Sequence, residues 1–195
     1  MNKNNLQNSK GFTIIELVIS IFVLSIAIVG AYNAFTTMDI LTSSSTNRFI
    51  AAYLAQEGVE IARNIRDTNW IKNEYWTAGL EENCTDGCEA DYTTFGTADS
   101  PLYPWGGSGN YLSVDSNGFY VYDYNSTDEN LTATKFKRKI TVTPIVTYTD
   151  ESGYQVYDTL KVVVEVSWDE KANILHPTKT QDSIIAEEYL YNWYL

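Results

Sequence analysis

The hydrophobic and polar positions divide the chain into three stretches with different periods. Residues 17–31 read Leu-Val-Ile-Ser-Ile-Phe-Val-Leu-Ser-Ile-Ala-Ile-Val-Gly-Ala, apolar on nearly every side, and no charge falls between positions 17 and 38. At ~1.5 Å per residue, a helix over residues 12–35 would be roughly 36 Å long, enough to cross the hydrocarbon core of a bilayer. The next stretch is two-faced. Ala51, Leu54, Gly58, Ala62 and Ile65 recur at helical spacing, while Arg48, Glu60, Arg63 and Arg66 fall off that stripe. The small residues Ala51, Ala55, Gly58 and Ala62 allow a sheet to approach closely, and Glu60 with Arg63, or Arg63 with Asp67, stand at helical pairing distances. The polar run 42–46 could read as a linker, but the helical period continues beyond it. One long helix over residues 12–68 is therefore expected, apolar over 12–36 and amphipathic over 37–68, and ending in Asp67-Thr-Asn-Trp70.

The third stretch alternates. Residues 118–124, 134–143 and 157–168 predict strands, the last two joined by a turn at 150–153, with Pro144 bending or demoting the strand that contains it. Residues 183–193 fit either a strand or a short helix. The expected fold class is α+β: a long N-terminal hydrophobic α-helix packed on an antiparallel β-sheet head, the head covering residues 69–195.

Charge changes this picture, because it is distributed unevenly. Thirteen basic residues against 25 acidic ones give a net charge of −12 over 195 residues, which opposes nucleic acid phosphates and excludes a whole-surface nucleic acid binder. No Lys or Arg lies between Lys10 and Arg48, so the positive flank is N-terminal, and the N-terminus is expected inside with the head outside the cytoplasm. Residues 73–134 form a loop-rich acidic region with eleven acids and no base. Within it lies Cys84-Thr-Asp-Gly-Cys88. Outside the cytoplasm this spacing predicts a disulfide worth about 2 kcal/mol, with a tight turn at Asp-Gly. A redox switch or a thiol metal site is the alternative, unsupported by a second Cys pair or a nearby His.

Candidate chemistry is sparse. One histidine and two cysteines are too few for a zinc ribbon or a cysteine-ligated iron–sulfur cluster. His176 precedes Pro177 in a polar loop, and nucleophile-elbow, Walker and dinucleotide motifs are missing. No enzyme and no cofactor are expected. Asp86, Glu89 and Asp91, or Asp115 with Asn117, could offer oxygen ligands to calcium, but solvated acids are the default and no metal is assigned. The triplets at Asn83, Asn125 and Asn130 make glycosylation conceivable. Fifteen tyrosines and five tryptophans suit a small core and subunit contacts.

The string Lys10-Gly11-Phe12-Thr13-Ile14-Ile15-Glu16-Leu17 decides among three readings of the apolar helix: a cleavable secretory signal with a small-residue site near Ala31, a plain anchor, or a processed assembly helix. It closely resembles the processing site of type IV prepilins and pseudopilins. The resemblance implies a leader at 1–11, cleavage between Gly11 and Phe12 by a membrane-embedded prepilin peptidase, and N-methylation of Phe12. It also implies an assembly role for Glu16, which would pair with the terminal amine of a neighbouring subunit and so offset a carboxylate costing ~2.5–3.5 kcal/mol in the membrane. The residues from Leu54 to Trp70 and the run Val162-Val-Val-Glu-Val-Ser-Trp168 resemble minor pilins of the same superfamily. The fold implied is the pilin fold. Major pilins often carry a proline in the hydrophobic helix; here the first proline is Pro101, which leans toward a minor pilin or pseudopilin.

The implied function is structural: a subunit of a type IV pilus-like filament, with other pilin subunits, the prepilin peptidase and an inner-membrane assembly platform as partners. A pseudopilin of a type II secretion system is the near alternative, and an exported, membrane-anchored ligand-binding protein is the alternative from another class. The protein is expected as a single-pass inner-membrane protein before assembly and at the cell surface after it. Lys135, Lys137 and Lys139 alternate with Phe136 and Ile140, predicting a solvent-facing ridge that docks on the acidic region of the next head or stays solvated. DNA binding there is disfavoured by the net charge, −14 once Lys3 and Lys10 leave with the leader (11 − 25).

Overall fold

The computed structural model describes residues 11–97, 102–124, 126–149, 151, 155–170 and 181–193. Leader residues 1–10, His176, Asn125 and most of the predicted 150–153 turn lie outside the described residues. The chain forms two compact units, Met1–Ser44 and Ser45–Leu195, and both contribute to helix α1, Ile14–Lys72.

In the first unit, α1 presents its apolar side chains uncovered. Leu17, Leu24 and Val29 are each more than half exposed. The helix contains a window of mean hydropathy 2.7, apolar enough to cross a membrane, and none of that window is buried within the chain.

In the second unit, α1 covers one face of an antiparallel sheet, as its small-residue stripe predicts. Ala51, Leu54, Gly58, Ala62 and Ile65 are all buried. Gly58 is needed here: a Cβ would lie 2.7 Å from Val164 Cγ1 and 3.1 Å from Arg138 Cδ. The helix runs past Asp67–Trp70 to Lys72 and stops where Asn73 adopts φ 55°. The Asn69 side-chain amide then donates to the carbonyls of Trp76 and Ala78 and fixes the following turn. Two expectations about the polar face are corrected. Arg66 is buried, 4.7 Å from the centre of the Trp70 ring and paired with Asp67. Arg63 pairs with Glu60 and with Glu188 across the helix–sheet contact, so Asp67 is left to Arg66.

The sheet that receives the helix is ordered β2-β1-β6-β7-β8, where β1 is Cys88–Glu89, β2 Tyr103–Pro104, β6 Phe136–Thr149, β7 Gln155–Asp169 and β8 Gln181–Tyr191. Short α2, Glu81–Cys84, precedes β1. Strand β7 lies between the long strands β6 and β8, and its Leu160, Val162, Val164, Val166 and Trp168 point inward and are fully buried. The C-terminal stretch is thus a strand, paired residue for residue with β7 from Thr159↔Tyr191 to Asp169↔Gln181. Pro144 does not end β6. It pairs in register with Leu160, and β1 reaches β6 only at Ile140, so at Pro144 β6 is an edge on its β1 side, the setting in which a strand tolerates proline. The irregularity comes just afterwards, with register shifts around Val146.

Residues 118–124 do not form the expected long strand. Only Tyr120–Val121, β4, joins a small sheet ordered β4-β3-β5 with Ser113–Val114 and Thr132–Ala133. Side chains intercept the ladder: the Phe119 N–H donates to Asp115 Oδ1, and the Tyr122 N–H to Asp91 Oδ2.

Candidate functional site

The processing segment is built by a helix start. Gly11, Phe12 and Thr13 are exposed and non-helical. Thr13 caps α1: its Oγ1 accepts from the Glu16 N–H at 3.3 Å and its carbonyl from the Leu17 N–H. Thr13-Ile-Ile-Glu16 has the spacing of a capping box, and a carboxylate in the first turn is favoured by the helix dipole. The Gly11–Phe12 bond therefore lies in open chain two residues before the helix, where a protease can bind it extended. The Glu16 carboxylate is exposed and makes no ion pair among the described residues. The Thr13 cap on the Glu16 N–H is legible in the same four residues of sequence.

Three hydroxyls in the N-terminal part of α1 are satisfied by the helix's own backbone. The hydroxyls of Ser20, Ser25 and Thr37 donate to the carbonyls of Glu16, Ile21 and Asn33 at 2.7, 2.8 and 2.9 Å. Such back-bonding satisfies these three hydroxyls without water, as suits a lipid or helix-packed environment. Phe22, Ser25, Ile26, Val29, Gly30 and Asn33 line a shallow, largely apolar groove on this helix.

In the head, the predicted disulfide is formed between Cys84 and Cys88, with a Cα–Cα distance of 4.7 Å, and both cysteines are buried. Of the acids Asp86, Glu89 and Asp91, read as solvated by default, Asp86 is exposed but Glu89 and Asp91 are buried. Among the described residues no three His, Cys, Asp or Glu side chains gather in a cage. Instead Glu89 accepts from the Asn110 backbone and side chain and from the Tyr124 hydroxyl, while Asp91 accepts from Thr93, Thr94 and the Tyr122 N–H. Asp115 likewise folds its own loop, accepting from the N–H groups of Asn117 and Phe119. These buried acids organise the acidic region from within. Burial and the bond to Glu89 hold the Tyr124 hydroxyl well above the usual tyrosine range, and burial does the same for Tyr122.

The lysine ridge has the expected alternation: Lys135, Lys137 and Lys139 lie opposite buried Phe136, Arg138 and Ile140 and are themselves half-buried. Lys137 Nζ donates to the Ser108 carbonyl and sits 4.3 Å from the Tyr111 ring centre; Lys139 Nζ is 5.9 Å from that of Trp105. Two aromatic rings of the acidic region thus stand beside the ridge.

The cation that sequence reading missed is Arg138. It is fully buried, paired with Glu57 at 3.0 Å, and donates to the carbonyls of Leu54 on α1 and Ala90 beside the disulfide loop. The Tyr122 hydroxyl donates to its carbonyl. One side chain thus joins helix, sheet and loop. Its position between Phe136 and Ile140 in the alternation was the signal.

Against this geometry, comparison with known families places the N-terminal segment in a class: residues 6–32 match the family model described as the prokaryotic N-terminal methylation motif, the hallmark of type IV pilin and prepilin-like proteins. The match covers Gly11, Phe12 and Glu16, and the α+β architecture behind it is consistent with the pilin fold. No curated protein and no solved structure matches the chain.

Proposed function

We propose that this protein is a structural subunit of a type IV pilus-like filament, inserted in the membrane, cleaved between Gly11 and Phe12, N-methylated at Phe12 and assembled through its hydrophobic helix. The single observation that carries the reading is an exposed helix that begins with the methylation motif, leaves Glu16 without an intramolecular ion pair among the described residues, and bonds its hydroxyls back onto its own backbone. In a bundle of such helices the neighbour's terminal amine compensates the Glu16 carboxylate, and each subunit covers the next one's apolar surface. The partners on this reading are other pilin subunits, the prepilin peptidase and an inner-membrane assembly platform, and the protein performs no catalysis of its own.

A pseudopilin of a type II secretion system uses the same chemistry, and the uninterrupted α1 from Ile14 to Lys72 favours that variant over a major pilin. Shearing cells and probing the detached material for the chain separates the two. Recovery in sheared surface filaments supports the pilus role. Retention in the cell envelope together with a secretion defect on deletion supports the pseudopilin role, and a chain that never enters a multimer places it among anchored binding proteins.

A further inference from the structure

The outer face of the main sheet, turned away from α1, carries a groove that the assembly reading does not use. Its volume is about 510 Å³, and it is lined by Trp105, Lys139, Glu165, Ser167, Asp182 and Ser183, with Gln181 at its edge. That size lies within the ~300–1,000 Å³ of ordinary ligand clefts.

The floor follows from strand register. Lys139 on β6 stands directly opposite Glu165 on β7, and Ser167 on β7 directly opposite Ser183 on β8. Further along the same face Lys161 and Glu187 close an ion pair at 2.9 Å. Lys139 and Glu165 do not, although they are cross-strand neighbours, and neither has another ion pair among the described residues. A cation and an anion thus line one groove with their hydrogen-bonding capacity open.

The wall is aromatic and held in place. Trp105 donates its backbone N–H to the Gly87 carbonyl at 2.9 Å beside the disulfide loop. Gly109, at φ 68°, packs its backbone on the indole so closely that a Cβ would lie 2.2 Å from Trp105 Cη2. At the far end Asp182, which alternates with Ser183 along β8, turns its carboxylate to the α1 side and pairs there with Arg48 at 2.8 Å, so the carboxylate of the outer face is that of Glu165.

An indole wall, one ammonium, one carboxylate and two hydroxyls match a ligand that has C–H faces for stacking and several hydroxyls acting as both donor and acceptor. We propose that this groove binds a neutral saccharide. The net charge of −12 and the pairing of opposite charges within the groove disfavour polyanionic glycans. The site lies wholly in the second unit and does not depend on how, or whether, the subunit assembles.

The test uses the full chain in a sugar-free zwitterionic detergent, labelled with ¹⁵N at its five tryptophans. The Trp105 indole signal is assigned by its loss in Trp105→Phe. Methyl β-galactopyranoside, methyl α-mannopyranoside and N-acetylglucosamine are titrated separately, with glycerol and a sulfated disaccharide as controls. The expected result is a saturable shift of the Trp105 signal with at least one of the three neutral sugars, while the Trp168 signal, from a ring buried in the core, stays in place. Glu165→Gln and Ser183→Ala, both on the outer face, should weaken that binding roughly tenfold or more and leave the other indole signals unchanged. No saturable shift with any of the three, an equal response to glycerol, or tighter binding of the sulfated sugar overturns the proposal, as does undiminished affinity in both variants.

Discussion

Helix α1 is one continuous element from Ile14 to Lys72, yet its two parts solve opposite problems. In the first unit Leu24 and Ile28 are 58% and 60% exposed, whereas in the second Leu54 and Ile65 are 2% and 1% exposed. Helical geometry does not distinguish them; the placement of polar groups does. Before Ser44 the hydroxyls of Ser20, Ser25 and Thr37 bond back to the helix's own carbonyls. After it, Arg48, Arg63 and Glu57 each form an ion pair with a sheet residue. An apolar surface surrounding a helix demands lipid or other helices as its solvent, while a single apolar stripe is satisfied within the chain.

The comparison breaks most severely if the buried Arg138 is stranded. Glu57→Ala removes the carboxylate from a fully buried guanidinium and should cost ~3–5 kcal/mol in denaturant unfolding of the head. By contrast Ile21→Ala, in the uncovered part, should leave that unfolding within ~0.5 kcal/mol of the parent. Equal sensitivity at the two positions would mean that the parts of α1 are not distinct. Arg138→Met with Glu57→Leu is expected to recover most of the stability, because a buried pair replaced by apolar groups is often neutral.

Gly58→Val comes next. It forces a side chain into Val164 and should destabilise the head by ~1–3 kcal/mol, read by the same method. Gly30→Val has open space around it and should not destabilise the head. Reducing the Cys84–Cys88 bond should lower head stability by about 2 kcal/mol and leave the helicity of the first unit intact, as circular dichroism before and after reductant can show.

A smaller effect is expected in alkali. Tyr122 and Tyr124 have their hydroxyls held above the normal range in the folded head, so the unfolded chain loses those protons first. Their contribution is complete below the ordinary tyrosine pKa of about 10 and is lost as pH rises beyond it. Melting temperatures followed from neutral pH upward should begin to fall near that point, and Tyr124→Phe should soften the fall.

Much of this division was legible in the sequence. The unbroken apolar run, the small-residue stripe ending in Ile65 and the Val alternation of β7 each state their environment through period alone. What was not legible depended on contacts between distant segments. Arg138 sits in a run of lysines where charge suggests surface, and only the room left above Gly58 and the acceptors at Leu54 and Ala90 show why it lies inside. Residues 118–124 alternate as a strand does, yet Asp91, far away in sequence, takes the Tyr122 N–H. The lysine ridge was placed on the correct face. The aromatic rings beside it, Trp105 and Tyr111, sit in a Gly-rich loop whose path no periodicity encodes.

The processing site tests the account at its root, because every role assigned to the first part of α1 follows from a helix freed at its N-terminus. Mass spectrometry of the N-terminal peptide from the mature protein, produced in cells with an active prepilin peptidase, reads it directly. The account predicts a chain beginning at Phe12 with one added methyl group on its amine, and an uncleaved chain when Gly11 is replaced by a bulky residue. A mature terminus after Ala31, or an intact leader in cells that process other prepilins, would contradict it.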